Sequence, residues 1–140
     1  MTPDQRFARP GFFPPGCPPE PHSCMPGTYI RLVSRRLEPP DADFLPQIVD
    51  QSGVTRGEGR GSICRSCALS VFSSPHAARS FLDNDQEFRF RQMARMEVSG
   101  DDGVIHPYEA VALGHYLWWL PDDGGDRSYR RFFRGCVDDC

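Results

Sequence analysis

Residues 63–82 read ICRSCALSVFSSPHAARSFL, and the fold turns on how they divide. Ala68–Phe72 (ALSVF) has the β-branched and aromatic content of a short buried strand. Ser73-Ser74-Pro75 then turns the chain and opens a helix. A serine side chain can cap the orphan N–H groups, and proline suits the first helical position, where its missing N–H costs nothing. Ala77, Ala78, Phe81 and Leu82 follow at helical spacing, giving a helix over 75–83 with one apolar face toward the strand. Helix N-termini can receive anions, so Ser73 and Ser74 are candidate binding residues.

Upstream, Thr28–Ser34 (TYIRLVS) is a β-rich run with Arg31 inside it. A charge in mid-strand either faces solvent or a salt-bridge partner, or points into a cleft to hold a carboxylate or phosphate. Arg35-Arg36 lead into a Pro-rich acidic loop, and Phe44, Leu45, Ile48 and Val49 are spaced as a short inward-packing helix over 44–50. Gln51–Gly61 is a Gly-rich charged loop without a G-x-G-x-x-G or Walker pattern. Downstream, Asp83–Arg91 is polar, with Phe88 and Phe90 alternating, and is either the helix tail or a turn. Residues 93–98 (MARMEV) alternate with period two as a half-buried strand. Gly100–Gly103 is a turn, 103–106 a return strand ended by Pro107, and 107–113 a loop. His115–Leu120 (HYLWWL) is an aromatic strand and Pro121–Gly125 a turn. Tyr129, Phe132 and Phe133 share one side of a short C-terminal helix or strand, and 135–140 is a frayed tail. The pattern predicts an α+β domain over 28–134: a small, mainly antiparallel sheet with one principal helix and a shorter one packed on it.

The first 27 residues hold eight prolines, which exclude a helix or a central strand there. They read as a disordered or loosely docked leader whose Phe7, Phe12 and Phe13 can dock on the domain. Net charge is −3, which argues against a generic nucleic-acid binder. All sixteen basic residues are arginine, so Schiff-base and P-loop lysine chemistry is excluded, while bidentate recognition of carboxylate or phosphate is open. No run approaches the roughly 20 apolar residues of a membrane span, and no signal-peptide core is present, so the expectation is a cytoplasmic protein without a membrane partner. Six cysteines stand at 17, 24, 64, 67, 136 and 140. Cys64-Arg65-Ser66-Cys67 has the gap of zinc and redox sites, with Cys136/Cys140 or Cys24/His22 as a second pair for a metal. The spacing does not repeat as in a zinc ribbon, so no metal is assigned and the cysteines are read as partly buried thiols.

His115 is either a core histidine or a base beside Trp118 and Trp119 at a pocket mouth. The two tryptophans must point to opposite faces of their strand, which allows one to be core and the other an exposed contact.

Asp43-Phe44-Leu45-Pro46, Leu69-Ser70-Val71-Phe72-Ser73 with Ala77 and Ala78, residues 93–98, and Gly114-His115-Tyr116-Leu117-Trp118 occur in that order. Together they resemble a family of small uncharacterised bacterial proteins with a G-[IL]-S-V-[FY] strand and a G-H-[YH]-x-[LVW]-W strand. Ala68 stands where that family has glycine, and the resemblance covers 28–134. It implies a domain and its boundaries, with no activity attached. A looser likeness is to the ADP-ribosyltransferase-type fold, which splits NAD. That likeness implies that Arg31 meets the cofactor, Ser70 and Ser73 brace the site and Glu97, or else Glu109, orients the ribose. Two functions follow. The leading one is a non-catalytic binding or regulatory module contacting a protein partner through Arg31, Arg35, Ser73, Ser74, His115, Trp118 and Trp119, without a cofactor. The alternative is an NAD-dependent ADP-ribosyltransferase-like enzyme, or a degenerate relative, using Arg31, Ser70, Ser73 and Glu97.

Overall fold

The computed structural model describes residues 13–35, 39–46, 63–84, 91–108, 113–121 and 129–137. Strand β1 is Gly27–Ser34, β2 Leu69–Phe72, β3 Arg91–Val98, β4 Val104–Pro107, β5 His115–Trp119 and β6 Phe133–Cys136. Helix α1 is Ile63–Ser66 and α2 is Pro75–Asn84, with 3-10 turns at Asp41–Phe44 and Arg130–Phe132. The six strands form one antiparallel sheet in the order β4-β5-β2-β1-β3-β6.

The decisive stretch divides between strand and helix as its composition demands. Ser74 is the cap: its Oγ accepts the Ala77 N–H at 3.1 Å, and its carbonyl accepts the Ala78 N–H. Ahead of it, the Ser73 N–H donates to the Gly114 carbonyl at 2.9 Å. Gly114 has φ +78°, and a Cβ there would lie 2.7 Å from the Ala77 Cβ, so the Gly-His step before β5 admits α2 only because it lacks a side chain.

Register sorts the side chains onto two faces. On the first, Tyr29, Val33, Leu69, Val71, Ala94, Met96, Val98, Ile105 and Trp118 form one buried cluster, closed over by Phe44, Tyr129 and Phe132. On the second, Ile30, Leu32, Phe72 and Met93 are buried with Ala78 of α2, and Phe81 lies 5.3 Å from Phe72 ring to ring. Further along that face, Val104, Leu117 and Trp119 are buried with Phe13, Cys17, Cys67 and Ala68. Both faces of the sheet carry buried side chains, and among the described residues α2 is the longest helix.

Three points differ from the sequence reading, and a fourth concerns the leader expected to be disordered or loosely docked. The thiols of Cys17 and Cys64 are joined in a disulfide across 47 residues of chain, and Cys136 is also disulfide-bonded. Closing a loop of that size stabilises a fold by about 4 kcal/mol in the chain-entropy account. Residues 13–26, part of the expected leader, lie against the sheet: Phe13 and Cys17 are buried, the Ser23 carbonyl accepts the Ile105 N–H at 2.9 Å, and His106 Nε2 is 2.6 Å from the Pro21 carbonyl. Gly135 and Cys136, read as frayed, belong to β6, which pairs with β3. Finally, β3 begins at Arg91 rather than 93, since backbone pairing with Ser34 extends it past the apolar alternation. The loop at 51–61, residues 47–50 of the short helix, the segment 85–90 with Phe88 and Phe90, 109–112 with Glu109, most of the 121–125 turn, and residues 1–12 and 138–140 lie outside the described residues. Among the described residues, no helix is long and apolar enough to cross a membrane.

Gly103 is the tightest backbone position: φ is +106° and a Cβ would fall 2.1 Å from the Trp119 carbonyl oxygen. Gly103→Ala is expected to lower stability by about 2–4 kcal/mol, read as a drop in the urea midpoint at unchanged slope. Gly100→Ala, where the nearest atom to a new Cβ is 3.9 Å away, is expected to stay within about 0.5 kcal/mol.

Candidate functional site

Arg31 carries the largest expectation, and its surroundings define what it does. It lies on the first face of β1, across from Ala94 and beside the apolar cluster. Its Nε donates to the Asp43 carbonyl and its Nη1 to the Ser70 carbonyl, each at 3.0 Å. Burial lowers its pKa to about 10, with Asp43 opposing that shift. Asp43 also accepts the Ser34 N–H through Oδ2 at 2.9 Å, while its Oδ1 stands 3.7 Å from Arg91. The guanidinium thus ties the 3-10 turn to β2. Its Nε and Nη1 are directed at backbone oxygens.

The residues of the NAD alternative do not converge. Ser70 meets Arg31 through its main-chain carbonyl. Ser73 is exposed at the turn before α2. Glu97 pairs with Thr28, three positions from Ala94 along β3, so it leaves the sheet on the side opposite Arg31 and is exposed. Ser70 lies in β2, Ser73 in the turn directly after it and Glu97 in β3, and no hydrogen bond among the described residues joins Glu97 to either serine.

The aromatic contact surface also needs correction. Trp118 and Trp119 do leave β5 on opposite faces, but both are buried, at 0% and 2% exposure. Trp118 Nε1 donates to the Asp102 carbonyl at 2.6 Å, and its ring meets Tyr129 and Phe132 edge-on, each at 4.8 Å. Trp119 Nε1 donates to the Cys64 carbonyl at 2.8 Å. Each face has its own cover, so neither indole is available to a partner. His115 is likewise a core residue: it is 6% exposed, stacked on Phe72 at 5.2 Å, and edge-on to Tyr108 at 5.7 Å. Its Nδ1 has no hydrogen-bond partner. Burial lowers its pKa, a hydrogen bond to the Tyr108 backbone pulls it up, and the nearby Arg31 charge lowers it further. Among the described residues, no group of three or more His, Cys, Asp and Glu side chains could hold a metal.

What the sequence did not single out is the β3–β6 border. Ala94 pairs with Cys136 and Met96 with Phe133, so one β3 residue, Arg95, stands against two β6 residues, Arg134 and Gly135. That bulge places two exposed arginines, Arg95 and Arg134, opposite each other in register. The Arg95 guanidinium lies across Gly135, 3.5 Å from where a Cβ would be. Arg134 Nη1 donates to the Arg131 and Phe133 carbonyls, and Arg131 covers the Phe132 ring at 4.8 Å. Arg35 is exposed at the end of β1, with Nε directed at the Arg91 carbonyl at 3.4 Å. Glu97 lies two positions from Arg95 on the same face. The signal in the sequence was the pair of arginines flanking Phe132-Phe133, but only strand pairing puts them beside Arg95.

No family model matches the chain, and neither a curated protein nor a solved structure matches it.

Two outcomes are expected from this geometry. Arg31→Met removes a half-buried donor from two carbonyls and is expected to cost about 1–3 kcal/mol in denaturant unfolding. For His115, the folded-state pKa lies below the unfolded one, so its contribution is full above the unfolded value of about 6.5 and is lost as pH falls through the folded value. Stability is therefore expected to decline from pH 7.5 to pH 5. In His115→Gln that decline is expected to be shallower when the two proteins are unfolded in urea at each pH.

Proposed function

We propose that this protein is a non-catalytic binding module whose contact surface is the β3–β6 edge, and that its partner is an extended acidic segment of another protein. The observation that carries this reading is the bulge that sets Arg95 against Arg134 on an edge strand. Like charges placed opposite each other across a strand pair destabilise it, so the pairing has no structural benefit and is relieved by an anionic group bound between them. Among the described residues β6 pairs with β3 alone, and an outer strand edge offers N–H and C=O groups to an added strand. Arginine forks suit carboxylates in two-pronged contacts. Arg131 and Arg35 extend the basic surface on either side. The expectation that Trp118, Trp119 and His115 form the contact gives way here to the arginines, because all three are enclosed.

The test is fluorescence anisotropy with a labelled Asp/Glu-rich dodecapeptide at low ionic strength. Binding that weakens with added salt is expected, with Arg95→Glu/Arg134→Glu reducing affinity at least about tenfold and Glu97→Gln raising it two- to threefold, about the size of one screened charge contact. Equal affinity in wild type and the double variant, or binding indifferent to salt, overturns the assignment. Incubation of the same samples with NAD separates the enzyme alternative: nicotinamide release would overturn the non-catalytic reading.

A further inference from the structure

The segment 13–26 is held to the rest of the molecule by one covalent link and a few polar contacts. Cys17 is bonded to Cys64 in α1. Phe13 and Cys17 are buried against Leu117 and Trp119. Ser23 and Pro21 reach the outer side of β4 through Ile105 and His106. Directly after α1, Cys67 is a thiol rather than a disulfide. It is 1% exposed and belongs to the same buried cluster as Cys17 and Cys64. The Cys67 N–H donates to the Cys64 carbonyl at 3.2 Å, a tight turn that brings the two ends of Cys-Arg-Ser-Cys together. Three cysteines thus share one apolar pocket with one disulfide between them.

We propose that Cys67 is the resolving thiol of a redox-neutral exchange that untethers the 13–26 segment. The Cys67 thiolate attacks Cys64 Sγ. A Cys64–Cys67 bond forms as the Cys17–Cys64 bond breaks, and Cys17 leaves as a thiolate that takes up the proton Cys67 gave. One disulfide and one thiol stand on each side of the step, so no oxidant or reductant is consumed. Burial pushes the Cys67 thiol up to about 11, and only the thiolate attacks. The exchange is therefore closed while the cluster is packed, and it opens when segment 13–26 lifts. Afterwards the segment is held by non-covalent contacts, among them Phe13, the β4 hydrogen bonds and the Cys24–Ser99 contact, and the outer side of β4, with the Trp119 face beneath it, is gated by a bond that the chain itself can move. Cys24 is the competing thiol; it is directed at the Ser99 carbonyl at 3.3 Å, away from this cluster.

The test is a non-reducing peptide map of the full chain after incubation at pH 7 and pH 8.5, with and without mild urea, followed by acid quench and alkylation. Trypsin cleaves after Arg65, so the two isomers yield different cross-linked peptides: residues 61–65 joined to the Cys17 peptide before exchange and to the Cys67 peptide after it. The expected result is a Cys64–Cys67 species that grows with pH and urea. Cys17 alkylation is expected to run at least about tenfold faster in wild type than in Cys67→Ser, the loss that follows from removing the attacking thiolate. Cys67→Ala repeats the comparison should the buried hydroxyl of serine disturb folding, and Cys24→Ser is expected to exchange as wild type does. Cys17 found only on Cys64 under all four conditions overturns the proposal. So does Cys17 labelling that is as fast in Cys67→Ala as in wild type, or that is lost in Cys24→Ser.

Discussion

Trp118 and Trp119 are consecutive residues of one strand, so their indoles leave the sheet in opposite directions, and both are enclosed. Burying each side chain is worth about 1.5–3 kcal/mol, but only if its N–H also finds an acceptor. That pair of requirements dictates the rest of the architecture. A sheet with a large aromatic on each face at the same position needs two covers. The chain supplies them from separate segments: Tyr129 and Phe132 on one face, Phe13, Cys17 and the turn around Cys64 on the other. The acceptors are main-chain carbonyls of Asp102 and Cys64, so each indole also fixes the path of a loop.

The same logic explains why the residues most suggestive of chemistry are structural. A half-buried guanidinium is tolerable when its donors reach oxygens, and Arg31 reaches the carbonyls of Asp43 and Ser70. A buried histidine is tolerable when neutral, and His115 is stacked on Phe72 with its pKa lowered by burial. Neither arrangement leaves a group poised for a substrate. Arg95 and Arg134, by contrast, are exposed, and a one-residue bulge places them opposite each other in the β3–β6 register. The contrast is what the proposed β3–β6 contact surface rests on.

The two ends of the sheet are treated differently. At β4 the outer strand is met by the chain's own segment 13–26, whose prolines cannot continue a ladder and so blunt the edge. At β6 the outer strand carries arginine and glycine and has no such cover among the described residues. A covered edge held by an exchangeable bond and a basic edge left open are two distinct opportunities for control and contact within one sheet.

The amino-acid sequence by itself determined the local elements. The β-rich run TYIRLVS, the alternation in MARMEV, the capped start at Ser74-Pro75 and the turn around Gly100–Gly103 are signals within a few residues, and the strands, helix and turn stand close to where those signals put them. It also determined that Trp118 and Trp119 face opposite ways, because a strand has period two. Tertiary structure decided what period and propensity do not carry: that both indoles are covered, that Arg31 turns to carbonyls thirty-nine and twelve residues away, and that Cys17 meets Cys64. It also decided that a single unmatched residue in β6 sets Arg134 beside Arg95. Each of these depends on which segments become neighbours after collapse. That is settled by filling both faces of the sheet and satisfying buried donors, and no short stretch of sequence encodes it alone.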